Sequence, residues 1–349
     1  MKITDWLDLT VHPLSVEAAD KALQRQANLT KPPGSLGQLE SIVVQLAAMQ
    51  SLELPSCERV SICIFAADHG VAQQGVSAFP QEVTAQMILN FASGGAAISV
   101  LARQLNADFE VVNLGTVSPV EHEAVIDSVI AQSTTDFTKA EAMTAAQLES
   151  ALNVGAEAVA RAQNQQADLF VAGEMGIANT TSASALIAAL LNLNGAEVAG
   201  SGTGINEKGV RHKAEVIDRA LALHADILSS PLEILRCLGG FEISAMVGAY
   251  LMAAHKGIGI VVDGFISTIA AYIAVKINAE SLQWMFFAHR SSEQFHQHLL
   301  DALQVTPLLD LEMRLGEGSG AAIAIPLLRS SCELHRNMAT FSDAGVSES

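Results

Sequence analysis

The feature that most constrains this chain is a pattern that recurs along it. A short apolar run ends in a turn rich in glycine and polar residues, and a helix-length, Ala-rich segment follows. Residues 60–67 run into Asp68-His69-Gly70, 109–114 into Gly115, and 169–172 into Gly173-Glu174-Met175-Gly176. Residues 259–262 run into Asp263-Gly264, and 283–287 into Ala288-His289-Arg290-Ser291-Ser292. Apolar runs of four to eight residues between turn signals are the mark of strands buried on both faces. The segments between them, such as 144–165, 181–192, 207–226, 241–256 and 265–277, have the length of helices. Strands alternating with helices predict an α/β fold with a mostly parallel sheet flanked by helices. In such sheets ligands sit outside the carboxyl ends of the strands. Asp68, His69, Glu174, Asp263, His289 and Ser291 are therefore expected around one crevice.

Composition fits this reading. Only 5% of the 349 residues are aromatic, so small aliphatic side chains must fill the core. With 19 basic and 37 acidic residues the net charge is −18, which argues against a general nucleic-acid binder. It leaves room for a small anionic substrate held by a few local donors. Asp5 and Asp8 interrupt any apolar leader, so no secretory signal is read and the protein is expected in the cytoplasm. The most membrane-like stretch, 257–277, carries Asp263 and divides into a strand and a helix. Cys57, Cys63, Cys237 and Cys332 form no C-x-x-C pair and read as reduced structural thiols. No metal site is expected, because no His or acid recurs at ligand spacing, and no cofactor is expected either.

Four loops carry candidate chemistry. In the first, a strand enters Gly173-Glu174-Met175-Gly176, and Asn179-Thr180-Thr181 opens a helix. Glycines admit a ligand close to the backbone and a helix N-terminus favours an anion. An ordinary helix cap has the same spacing. The second, 199–206, alternates Gly200, Gly202 and Gly204, and Lys213 follows within phosphate reach. A lysine on a helix is more commonly solvated. The third, around Asp263, loosely resembles the ribose-phosphate loop of diphosphate-dependent phosphoribosyltransferases but lacks their second adjacent acid. That weakens a magnesium–diphosphate mechanism. In the fourth, Glu317 stands between Gly316 and Gly318 just before a helix, where the dipole lowers its pKa and burial raises it, so the sign of the shift stays open. A solvated helix-start acid is the plain alternative.

Taken together, these loops resemble one family. Lys31-Pro-Pro-Gly-Ser-Leu-Gly37, Ala67-Asp-His-Gly-Val71, Gly173-Glu-Met-Gly-Ile-Ala-Asn-Thr-Thr181, Gly239-Gly-Phe-Glu242, Val262-Asp-Gly-Phe265 and Arg314-Leu-Gly-Glu-Gly-Ser-Gly-Ala321 occur in the order seen in nicotinate-nucleotide–dimethylbenzimidazole phosphoribosyltransferases. The resemblance spans about residues 20–340. It implies a cytoplasmic homodimer with a Rossmann-like domain (56–324) and a small helical domain from both termini (1–55 and 325–349). It also implies transfer of phosphoribose from nicotinate mononucleotide to 5,6-dimethylbenzimidazole, giving α-ribazole 5′-phosphate. No metal or cofactor takes part.

The resemblance places the catalytic base on Glu317 and a second acid, Glu174, near the reacting centre. It makes Gly176, Thr180, Gly202, Lys213, Ser291 and Leu315 substrate-binding candidates, with Asn179 and Asp263 orienting the loops. Near residues 78–87 better-described members line the base pocket with a small polar residue and a glutamine. Here Phe79 and Met87 stand at those places and Gln86 lies one position away, so the preferred base is open. Two other readings share the residues: a nucleosidase or phosphorylase acting on a pyridine nucleotide, and a non-catalytic nucleotide-binding regulator.

Overall fold

The computed structural model describes residues 1–200, 202 and 204–347. Among them six strands form one sheet: β1 (Val60–Ala67), β2 (Asp108–Gly115), β3 (Val125–Asp127), β4 (Leu169–Met175), β5 (Gly259–Val262) and β6 (Met285–Phe287). The order is β3-β2-β1-β4-β5-β6 and every pairing is parallel. This is the Rossmann strand order, with its reversal point between β1 and β4. All eight residues of β1 are buried, as its unbroken apolar run predicts.

Three expectations need correction. β4 continues through Gly173, Glu174 and Met175, because Phe65 of β1 still pairs with Glu174. Glu174 thus projects from a strand end and not from a turn. Residues 283–287 do not form one strand. Ala279–Trp284 is a 3-10 helix, capped where the Asn278 side chain accepts the Glu280 N–H at 3.1 Å, and only Met285–Phe287 is strand. β3 was not anticipated, because a three-residue, half-exposed edge strand needs no apolar run.

The helices expected between the strands are present, including Asn179–Leu191, Glu207–His224 and Phe265–Ile277, and two more, Val16–Asn28 and Gln38–Gln50, precede the first strand. Ser15 caps Val16–Asn28 by accepting the Ala18 N–H at 3.2 Å. Helices Glu82–Ala92, Ala97–Leu105 and Pro231–Leu238 were not singled out from the sequence. The first two together are apolar enough to span a membrane by composition, but a break over residues 93–96 separates them.

The two termini meet. Arg25 donates to the carbonyls of His335 and Arg336 at 2.7 and 2.9 Å, and Gln26 lies 2.8 Å from His335 Nδ1. The helix Ser319–Asn337 therefore begins at the carboxyl edge of the sheet and ends among the N-terminal helices. It runs unbroken across residue 325, where the sequence places a domain limit. The four cysteines are free and buried.

Behind the sheet, helices Ala145–Asn164 and Phe241–Lys256 touch backbone to backbone. A Cβ at Gly155 would stand 1.9 Å from the Ala245 carbonyl oxygen, and one at Gly248 would stand 2.2 Å from that of Leu152. Gly→Ala inside a helix ordinarily stabilises by about 0.5–1 kcal/mol. Here the sign reverses: Gly155→Ala and Gly248→Ala are each expected to lower stability by about 1–3 kcal/mol through overpacking. A fall in the urea midpoint at unchanged m-value is the readout.

Candidate active site

At the carboxyl ends of β4, β5 and β6 the chain leaves a cavity of about 360 Å³. Glu174 reaches it from β4, Asp263 follows β5, and His289 and Ser291 follow β6. The segment Arg314 to Glu317 closes one side. The lining also has an apolar part, made by Phe79, Val83, Met87, Met175, Ile177 and Leu315.

The cavity gathers most of the residues named from the sequence. Glu174, Gly176, Asn179, Thr180, Gly202, Asp263, Ser291 and Glu317 line it, with Phe79, Met87 and Leu315 on the apolar wall. Lys213 lines a small adjoining pocket with Thr180 and Gly202. Ser201 and Thr203 of that glycine loop lie outside the described residues. Gln86 is not in the wall: it occupies the exposed face of Glu82–Ala92, and its neighbour Met87 turns inward. Asp68 and His69 are fully buried behind the wall, so the expected single crevice excludes them. Val83, Met175, Glu293 and Arg314 were missed. Val83 had a signal, since it lies one helical turn before Met87 on the same face.

Glu317 sits in an unusual backbone. Gly316, Glu317 and Gly318 all have left-handed φ, at 79°, 61° and 76°. A non-glycine residue there costs on the order of 1–2 kcal/mol. The conformation is held from below. The Asp263 carboxylate accepts the Gly318 N–H at 3.1 Å and the Ala321 N–H at 2.8 Å. Gly173 lets the loop rest on β4, for a Cβ there would lie 2.7 Å from the Glu317 carbonyl carbon.

Asp263 thereby occupies the first N–H groups of the following helix, which Glu317 was expected to use. Of the two opposing influences on its pKa, burial prevails. Burial, with the nearby negative charge of Asp263 second, pushes Glu317 up to about 7. Burial also drives Glu174 well above the usual carboxylate range, reinforced by the charges of Glu242, Asp263 and Glu317. Its carboxyl accepts from the Asn179 amide. Three acids thus crowd one wall. His289, 3.9 Å from Asp263, is the ring facing them.

The basic end is separate. Lys213 is buried rather than solvated, and its Nζ donates to Thr180 Oγ1 at 3.2 Å. Burial brings it down to about 8. Ser291 is fixed through its backbone N–H, which donates to His296 Nδ1 at 2.8 Å. Burial lowers His296 to about 3, so the neutral ring donates from Nε2 to Thr268 Oγ1 at 2.9 Å. Among the described residues no three His, Cys, Asp or Glu side chains converge as a metal ion would require.

The geometry gives a direct check. Titration of the Glu317 carboxyl by carbon-13 NMR is expected to give a midpoint near 7. In Asp263→Asn the midpoint should fall, because one negative neighbour is removed, while staying above 4.5 because burial remains. An unchanged midpoint would show that Asp263 does not act on Glu317 by charge.

A phosphoribosyltransferase family model matches residues 11–346. A nicotinate-nucleotide–dimethylbenzimidazole phosphoribosyltransferase of Pseudomonas putida is 53% identical over 349 residues, covering 100% of this chain and 99% of that one. The protein of that name from Xanthomonas axonopodis pv. citri is 55% identical, covering 99% of each. The crystal structure of the Thermus thermophilus enzyme superimposes with a TM-score of 0.90 at 42% identity, over 96% of this chain and 100% of that one. With a cavity of this construction and relatives this similar over their whole length, the chain belongs to the nicotinate-nucleotide–dimethylbenzimidazole phosphoribosyltransferase family.

Proposed function

We propose that nicotinate mononucleotide and 5,6-dimethylbenzimidazole meet in this cavity, and that Glu317 is the base for transfer of the phosphoribosyl group between them. The enzyme is a pentosyltransferase of cobalamin nucleotide-loop assembly. The observation that carries the catalytic assignment is the Glu317 carboxyl. It is buried, pushed up to about 7, and lines a cavity that holds both acidic and apolar side chains.

The chemistry explains the arrangement. The donor's pyridinium nitrogen is already cationic, so nicotinate leaves without a proton or Lewis acid. The acidic wall favours that cation and the positive charge that grows at C1′ as the bond breaks. Glu174, beside Glu317, supplies this stabilisation from a strand end once the cation beside it draws its buried carboxyl into the ionised form. The donor's phosphate pairs with Lys213, Thr180, Gly202 and Gly176. The planar acceptor lies against Phe79, Met87 and Leu315 and attacks C1′ from the face opposite nicotinate. That path inverts the β-nucleotide to an α-product. As the new N–C bond forms, the acceptor's other ring N–H becomes acidic and passes its proton to Glu317. Ser291 completes the donor side, while Asn179 and Asp263 hold the loops. The family resemblance supports a cytoplasmic homodimer and a helical domain of residues 1–55 and 325–349.

The test is an HPLC assay with nicotinate mononucleotide, with and without 5,6-dimethylbenzimidazole and with no metal added. Base-dependent nicotinate release with an α-ribosyl product is expected. Release without base would instead mark a nucleosidase. Glu317→Gln should lose about 10²–10⁴-fold in kcat while still binding the nucleotide. The wild-type rate should rise with pH through about 7, as the Glu317 carboxyl loses its proton and becomes a base. A flat profile would remove Glu317 from that role. Lys213→Met should raise KM for the nucleotide and leave KM for the base nearly unchanged.

A further inference from the structure

The transfer as proposed needs two parts of the cavity to keep a fixed distance. One is the loop after β4, Gly176 to Asn179, on the donor side. The other is the helix Glu82–Ala92, which presents Val83 and Met87 to the acceptor. Asp68 and His69, at the end of β1, were expected in the crevice but lie fully buried between these two parts.

Their contacts run in both directions. Thr84 is fully buried on the inner face of the helix, and its Oγ1 accepts the Ile177 N–H of the donor loop at 3.1 Å. The same hydroxyl faces the carboxyl of Asp68, whose Oδ2 accepts the Val117 N–H at 2.9 Å. Gln81, at the start of the helix, donates its amide to the His69 carbonyl at 3.0 Å. The His69 ring lies against Gly176, where a Cβ would be 3.2 Å from Nε2. It is tied at 2.6 Å to Glu242, which is also fully buried. Buried polar groups with no exposure to substrate are costly in a core this apolar. A link between the two parts of the reaction site accounts for keeping them.

We propose that Thr84, which faces Asp68, is a positioning residue that sets the donor loop against the acceptor helix. This rests on the functional reading above. It assigns Thr84 no contact with either substrate; it acts through the Ile177 N–H alone. Removing the hydroxyl orphans that N–H and lets the loop shift relative to Met87, so both substrates should be held less well.

Steady-state kinetics on the full-length enzyme test this, with each substrate varied, for Thr84→Val and Thr84→Ser beside the wild type. Thr84→Val is expected to lower kcat/KM for both substrates by roughly 10- to 100-fold. Thr84→Ser, which keeps the oxygen, should stay within about threefold of wild type. A Thr84→Val enzyme that melts at lower temperature but keeps its kinetic constants would overturn the proposal and leave Thr84 a core residue only. If Thr84→Val does not fold, Thr84→Ala removes the same acceptor from the Ile177 N–H with a smaller side chain. A raised KM for the base would support the proposal, and unchanged constants would overturn it. A wild-type enzyme without base-dependent nicotinate release would overturn the functional reading instead, which keeps the two failures apart.

Discussion

The site depends on one carboxylate that is not proposed to touch substrate. Asp263, at the end of β5, accepts backbone N–H groups from Gly318 and Ala321 and so fixes the start of the helix Ser319–Asn337. Three left-handed residues in succession precede that helix. Without a fixed anchor such a turn has no reason to persist. Anchored, it aims Glu317 over β4 at the point where Gly173 gives it room. The same carboxylate raises the pKa of Glu317 by its charge. Asp263 thus fixes the position of the proposed base and adds to the basicity that burial chiefly sets.

The electrostatic character of the cavity follows from this crowding. Burial pushes Glu174, Asp263 and Glu317 toward the neutral form, and neighbouring negative charge adds to this at Glu174 and Glu317. Such a wall is poorly satisfied by water or by an anion. A cationic ring close to it relieves the repulsion, and a phosphate is kept away, at Lys213 and Thr180. The apolar part of the lining supplies no competing charge. A flat, neutral heteroaromatic base fits there better than an ionised one.

Much of this was legible in the sequence because parallel strands write themselves plainly. β1 and β5 have the limits that their apolar runs suggest, and the helix limits over 241–256 and 265–277 also agree. Loop residues after those strands were legible for the same reason: glycine and acid clusters interrupt apolar runs. What was not legible depends on contacts across the fold. The shift of Glu317 could not be signed from its position before a helix, because Asp263, 54 residues earlier, had taken the helix N–H groups. Gln86 and Met87 differ by one step on a helix that was not singled out, so which of them faces inward was open. Lys213 looks like any helical lysine until Thr180 is seen beside it. Asp68 and His69 carry the same turn signal as the cavity residues, yet the Thr84 helix covers them.

The left-handed turn at Glu317 bears on how this enzyme can be stabilised. Glycine or asparagine suits a φ of 61° better than glutamate does. The acid also works against the fold through its ionisation. Its folded pKa lies above the ordinary 4.5, so folding favours the protonated form, and this position lowers stability as pH rises from about 4.5 to about 7. Above that range the full cost persists, which is where the proposed base is active. Random drift or selection for heat resistance alone would therefore lead this position away from glutamate. Useful stabilisation has to come from elsewhere, such as the caps and surface of the terminal helices, and not from relaxing the turn.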